Sequence, residues 1–301
     1  MIELRPPTLD DLPAIAEFFA ELDAAGGAGA TEGEIRDWLT SPTFDTEADF
    51  RLALDGDRLV GWCDVWDQNK AHARFFLDVR AHPDVPAVCG QLLDWGIERA
   101  RAQAGSSAVC RAWGNSTDEV FAEAVLARHF RLIRHFFRME TDLAEAPDDP
   151  VWPEGIVVRA FEPGEERAVY DAILDAFADH WDFVPTVYDE WEHFTVRSTD
   201  FDPALWFLAM EGDEIAGFSL CKSERRPNTG HVGVLGVRLP WRNRGLGLAL
   251  LLHSFHELRA RGRPKADLGV DAENTTGAVR LYERAGMSVV RRSDSYERAL
   301  A

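Results

Sequence analysis

The period of hydrophobic and polar positions changes at regular places along the chain. From Ile2 a short alternating run, IELR, ends at Arg5; a turn follows, and then LPAIAEFFAEL carries apolar residues at helical spacing. The same succession returns at Ile156 as IVVRA, a turn, and ERAVYDAILDAF. Alternation predicts a half-buried strand, and the wider spacing predicts an amphipathic helix. LDGDRLVGWCDV from Leu54 matches MEGDEIAGFSLC from Met210, each reading as two strands joined by a Gly-Asp hairpin turn. Near the ends, Phe130 to Leu143 lies against Met287 to Leu300 at a constant offset.

A repeat that keeps its order over half a chain predicts two domains of one fold. Each half reads as a strand, one or two helices, three strands, a helix, a strand, a helix and a final strand pair. That is an α/β class, an α+β mixed sheet covered by helices. The stretch from Leu143 to Gly155 has three prolines, four acidic residues and no period, and reads as a linker. The expected division is therefore 1–143, a linker 144–155, and 156–301. The glycine-rich AAGGAGA, Ala24 to Ala30, follows a helix and lacks GK[ST], so it reads as a helix connection rather than a phosphate loop.

Composition narrows the classes. The chain has 301 residues, 46% hydrophobic and 28% charged, as in ordinary globular proteins. It has no apolar run of about 18 residues and its first residues resemble neither a signal nor a transit peptide, so a cytoplasmic location without membrane attachment is expected. Cys63, Cys89, Cys110 and Cys221 have no CxxC spacing and read as reduced core residues. A net charge of −20 argues against nucleic acid as a partner. It suits a cationic substrate, and equally a simple requirement for solubility.

The most informative stretch is HVGVLGV-RLPWRNRGLG, from His231 to Gly247. A buried strand runs into a basic turn with two glycines, and Leu248, Leu251, Leu252, Phe255 and Leu258 then recur at helical spacing up to a stop at Gly262. A helix start entered directly from a strand offers unpaired N–H groups and a partial positive charge, so it suits an anion. Glycine at 245 and 247 lets that anion approach the backbone. A plain glycine-capped turn with solvated arginines is the alternative on glycine spacing alone.

R-x-x-G-x-G, read as Arg242, Gly245 and Gly247, resembles the acyl-CoA pyrophosphate loop of the GNAT acyltransferase superfamily. Downstream, VDAENTTGAVRLYERAGM resembles that superfamily's next element, with Asn274, Tyr282 and Gly286 at the matching positions and Met287 where Phe is usual. The likeness covers the second half from about Ile156, and the tandem layout is similar to mycothiol synthase-like acetyltransferases. It implies acetyl-CoA as co-substrate, held by Leu235, Gly236, Val237, Arg242, Asn243, Arg244, Gly245, Leu246, Gly247, Leu248 and Asn274. In the first half the turn HPDVPAVCG keeps only Gly90, and Val125 stands at the Tyr282 position. That half is expected to be catalytically degenerate. Asn115 there is expected to cap a helix.

The same resemblance implies direct acyl transfer to a small primary amine. Backbone N–H groups of Leu235 to Val237 would stabilise the thioester oxygen, with Gly236 permitting a local bulge, and Tyr282 would protonate the leaving thiolate. Two bases are open. His231 shares a strand face with Leu235 and Val237 if that strand is regular, and Glu224 ends the strand before it. The acidic, aromatic insert from Asp175 to Phe194 occupies the region that lines the acceptor site in the family. Asp179, His180, Asp189 and Glu190, walled by Trp181 and Trp191, would hold a cationic acceptor, unless the insert is an amphipathic helix with a solvated acidic face. No HExxH zinc pattern is present and no metal is expected; the absence of GxSxG, GxxxxGK[ST] and a GxGxxG after a strand argues against hydrolase, P-loop and dinucleotide-binding readings. A non-catalytic acyl-CoA-binding protein, a protein-modifying acetyltransferase and a mycothiol synthase-like enzyme remain as alternatives, as a monomer or a homodimer.

Overall fold

A computed structural model describes residues 2–24 and 29–300; the middle of the AAGGAGA connection, 25–28, lies outside the described residues. Contacts divide the chain into two compact units, Met1–Phe136 with Arg292–Ala301, and Phe137–Arg291. Among the described residues no helix is long and apolar enough to cross a membrane.

The first unit runs β1 (Ile2–Arg5), α1 (Leu12–Ala24), α2 (Glu32–Leu39), α3 (Thr46–Asp49), β2 (Phe50–Asp55), β3 (Arg58–Asp67), β4 (Arg74–Ala81), α4 (Ala87–Gln103), β5 (Val109–Asn115), α5 (Glu119–Leu126) and the start of β6 (Arg131–Asp142). β1 to β4 pair antiparallel in sequence order, and β5 joins β4 in parallel. One sheet face packs under α4 around Leu77 and Leu92, and the other under α1 and α2 around Trp62 and Phe19.

The second unit repeats the plan with β7 (Ile156–Ala160), α6 (Glu166–Phe177), α7 (Tyr188–Phe194), β8 (Trp206–Glu211), β9 (Glu214–Arg226), β10 (Thr229–Val237), α8 (Leu246–Ala260), β11 (Lys265–Asp271), α9 (Ala278–Arg284) and the start of β12 (Ser288–Ala299). β7 to β10 are antiparallel and β11 joins β10 in parallel. A core around Leu250 and Phe255 lies on the α8 side, and one around Phe218 and Val169 on the α6 side.

Local detail repeats as well. Arg5 donates to Asp11 at 2.8 and 2.6 Å, and Arg159 donates to Glu165 at the same spacing. Each carboxylate also accepts the N–H three residues before it, from Thr8 and from Glu162. The hairpin glycines, Gly56 (φ +62°) and Gly212 (φ +61°), both take the left-handed conformation their turns need. All four cysteines are free and buried.

Two features depart from the sequence pattern. Each half ends in one long strand rather than a strand pair, because β6 and β12 run unbroken for 12 residues each. Those two strands are also exchanged. The end of β6 belongs to the second unit, where Leu143 N–H donates to Pro264 O (2.7 Å) and Met139 enters the core. Its repeat counterpart, the end of β12, belongs to the first unit and pairs with β5 from Ser293–Asn115 to Ala299–Val109. The compact units therefore differ from boundaries at 143 and 155. The segment 143–155 has no helix or strand and packs on α8: Trp152 stands edge-on to His253 at 5.8 Å, and Arg259 Nε donates to Leu143 O at 2.9 Å.

Candidate active site

β10 and β11 pair over three rungs only, Thr229–Lys265, Gly230–Ala266 and His231–Asp267. Beyond them the strands leave each other, and a cavity of about 850 Å³ opens between Val232–Val237 and Leu268–Asp271, extending to the start of α8 and to α9. On its other edge β10 stays paired to β9, and Arg238 N–H donates to Ala216 O (3.0 Å). Successive N–H groups of a strand point to opposite edges, so Leu235 and Val237 turn theirs toward the cavity.

The strand is not regular. Val232 faces Cys221 while Val234 faces Leu220, so Gly233 is an extra residue that moves side chains to the other face. Val232, Leu235 and Val237 consequently share the α8 core, and Val234 joins the α6 core. His231 thus lies on the face opposite Leu235 and Val237, contrary to the regular-strand expectation. The bulge is at Gly233, not Gly236. Gly236 is small for another reason, since a Cβ there would stand 2.4 Å from the Phe218 ring.

The turn after β10 carries Asn243 (φ +61°) and Gly245 (φ +87°) in left-handed conformations, and Gly245 caps α8 without a side chain. Ala249 N–H closes the first helical bond to Gly245 O at 3.1 Å, which leaves the N–H groups of Leu246, Gly247 and Leu248 without helical partners. Asn243, Gly245, Leu246, Gly247 and Leu248 line the cavity. The two arginines behave otherwise. Arg242 lines the cavity but is a clamp: it donates to Val237 O (3.1 Å), Ala176 O (2.8 Å) and both oxygens of Asp179 (2.5 and 2.9 Å). Arg244 points away, to Glu211 (3.0 Å) and Glu154 O (3.1 Å), and is no part of the lining.

Tyr282 enters the cavity from α9, 8% exposed, and its hydroxyl has no hydrogen-bond partner among the described residues. Burial pushes its pKa up to about 12. Asn274 also lines the cavity; its Oδ1 accepts from Thr276 N–H (2.8 Å) and Oγ1 (2.5 Å). In the first unit Asn115 makes the matching turn, accepting from Thr117 N–H (3.3 Å), and Asp118 rather than Asn115 caps the following helix. His180 lines the cavity from the α6 side, where burial lowers its pKa despite Asp179, and so favours the neutral imidazole.

The remaining expected residues lie outside the lining. His231 donates Nδ1–H to Asp267 Oδ1 at 2.6 Å, and Asp267, 2% exposed, also accepts from Arg226 (2.9 Å). Burial alone would raise the Asp267 pKa; the hydrogen bond from His231 and the charges of His231, Arg226 and Arg138 outweigh it and hold the carboxyl below its usual range. A side chain at Gly233, a cavity residue, would stand 4.0 Å from His231 Nε2, so the bulge brings that nitrogen close behind the wall. Glu224 is taken up by Arg263 and by Asn228 N–H (3.0 Å). Asp179 is committed to Arg242. Glu190 is buried to 2%, Asp189 and Trp181 are exposed, and Trp191 packs with Tyr170 (5.3 Å) and Trp206 (6.1 Å) in the α6 core rather than walling a ligand. Of the insert, the cavity receives Ala176, Phe177 and His180.

A strand split from its parallel neighbour beside a glycine-capped helix start can be compared with known proteins. The model of the Acetyltransferase (GNAT) family matches residues 167–287. A mycothiol acetyltransferase from Streptomyces scabiei is 39% identical over 244 residues, 77% of this chain and 73% of that one. The chain belongs to the GNAT acetyltransferase family. A second mycothiol acetyltransferase, from Streptomyces coelicolor, is 32% identical over 300 residues, 95% of this GNAT chain and 90% of its own length. Among solved structures, a GCN5-related N-acetyltransferase from Sphaerobacter thermophilus has a TM-score of 0.78 at 32% identity, covering 99% and 96% of the two chains. A tandem GNAT protein from the clavulanic acid biosynthesis pathway shares the fold, with a TM-score of 0.75 at 18% identity over 100% and 99%. This GNAT protein is an N-acetyltransferase, and GNAT acetyltransferases use acetyl-CoA as co-substrate.

Four residues at the GNAT site escaped the sequence reading. Gly233 and Asp267 act through strand register, which no local pattern displays. Arg280 and Arg284, both in the lining, did carry a signal, since an i,i+4 basic pair sits on the helix of Tyr282.

Proposed function

We propose that this enzyme transfers an acetyl group from acetyl-CoA to the primary amine of a small molecule in one direct step. One observation carries this: the opening between β10 and β11, where the inward N–H groups of Leu235 and Val237 share a cavity with Tyr282 and the bare start of α8. The volume suits a cofactor-sized ligand. Acetyl-CoA supplies the activated acyl carbon. The N–H groups of Leu246 to Leu248 suit its pyrophosphate, and those of Leu235 and Val237 suit the carbonyl oxygen as it gains charge.

As the amine nitrogen bonds to the acyl carbon, His231 Nε2 takes its proton, directly or through a water. Asp267 fixes the tautomer by accepting from Nδ1–H. The carbon–sulfur bond breaks and Tyr282 gives its proton to the sulfur. With its pKa held up at about 12, Tyr282 stays protonated at neutral pH, as a proton donor requires. His180, kept neutral by burial, faces the acceptor from the α6 side.

The test is acceptor-dependent thiol release across a panel of amines. Tyr282→Phe is expected to slow turnover by about 10²-fold or more with acetyl-CoA affinity retained; full turnover would remove Tyr282 from the role. Tight acetyl-CoA binding without thiol release for any amine would leave a non-catalytic acyl-CoA-binding protein. A narrower acceptor is favoured by the relatives named mycothiol acetyltransferase, one of which is similar over 95% of the chain. An aminoacyl-sugar amine of the mycothiol type should then saturate at lower concentration than simple amines.

A further inference from the structure

CoA is a polyanion, and this chain carries a net charge of −20. The cations that meet it must be local, yet the loop arginines are neutralised, Arg242 by Asp179 and Arg244 by Glu211. Most arginines of the second unit make a hydrogen bond or ion pair with protein. Arg280 and Arg284 have neither among the described residues. Both are exposed, both line the cavity, and their i,i+4 spacing puts them on one face of α9. Like charges so spaced weaken a helix, and an anion between them would remove that repulsion. Asp271, the one carboxylate of the lining, ends β11 and accepts from Glu273 N–H at 2.9 Å.

Resting on the acetyl-CoA reading above, we propose that Arg280 and Arg284 clamp the phosphomonoester at the adenosine end of CoA, apart from the pyrophosphate seat at the start of α8. A pyrophosphate can be served by the backbone N–H groups of a helix start. A monoester near −2 charge instead favours guanidinium forks, which match three oxygens with charge-assisted hydrogen bonds. The site would thus select 3′-phosphorylated CoA thioesters over carriers that lack this group.

The experiment is calorimetric titration of the full chain with CoA and with 3′-dephospho-CoA, which differ by that phosphate alone. The wild type is expected to prefer CoA by about tenfold or more. The R280Q/R284Q double variant should bind CoA no better than dephospho-CoA, with dephospho-CoA affinity within about twofold of wild type. R280K/R284K should fall between, since it keeps the charges and loses the forks. Equal wild-type affinity for the two ligands, or an equal loss of both in the glutamine variant, would overturn the clamp while leaving the acetyl-CoA reading intact. Failure of the wild type to bind either ligand would overturn both.

Discussion

Asp267 is a buried carboxylate shared by His231 and Arg226, and its ionisation is set by those partners rather than by burial. A carboxyl held below its ordinary value, near ~3.9, contributes stability that is complete above that value and lost as pH falls through the lower folded one. Asp267→Asn should therefore cost about 3 kcal/mol at neutral pH, and its melting temperature should fall less steeply than the wild type's between about pH 5 and 3. If His231 is the proton acceptor proposed above, the kcat of this variant should drop while the KM for acetyl-CoA stays, because only His231 loses its orientation. Parallel melting curves over that range would mean that folding leaves the Asp267 pKa unshifted. Tyr282 and Asn274 were legible in the sequence because each stands in a motif that fixes its neighbours. Asp267 was not, since in KADLGVD it reads as one more polar strand position, and its partner is 36 residues away.

At the level of elements, the glycine-marked turn and the helix behind it were plain from composition and period, whereas the irregularity of β10 was hidden. HVGVLGV alternates well enough to look regular, and the extra residue at Gly233 is visible only against the register of β9. That single slip decides which face His231 occupies. Arg242 was legible as a loop residue, but its clamp on Asp179 was not, because a basic residue beside glycines gives no sign that Asp179 lies opposite. Its planar fork joins the end of β10 to the end of α6, a geometry that lysine cannot copy. Arg242→Lys should lower stability by about 1–2 kcal/mol and weaken acetyl-CoA binding together with it, read by thermal melting and calorimetry. Weaker binding at an unchanged melting temperature would instead make Arg242 a direct phosphate ligand.

For the whole molecule, the tandem repeat was the most legible feature, because hairpin glycines and strand-to-helix turns recur in order. The exchange of terminal strands was illegible for the same reason: similar patterns in β6 and β12 do not say which unit each completes. A chain ended at residue 291 would lose seven paired residues beside β5, with Tyr296 and Leu300 from the first unit's core. Amides of β5 should then exchange hydrogen far faster than in the full chain, although every residue up to 136 is intact. Unchanged β5 protection in the shortened chain would show that the first unit does not depend on its borrowed strand.

The borrowed strand also sets an order of events during synthesis. The first unit's residues up to 136 are made before the second unit, but the strand that closes the first unit is made only after it. The first unit's sheet is left with an open edge while the second unit is translated, so the unit begun before the other cannot be completed until the other has been made.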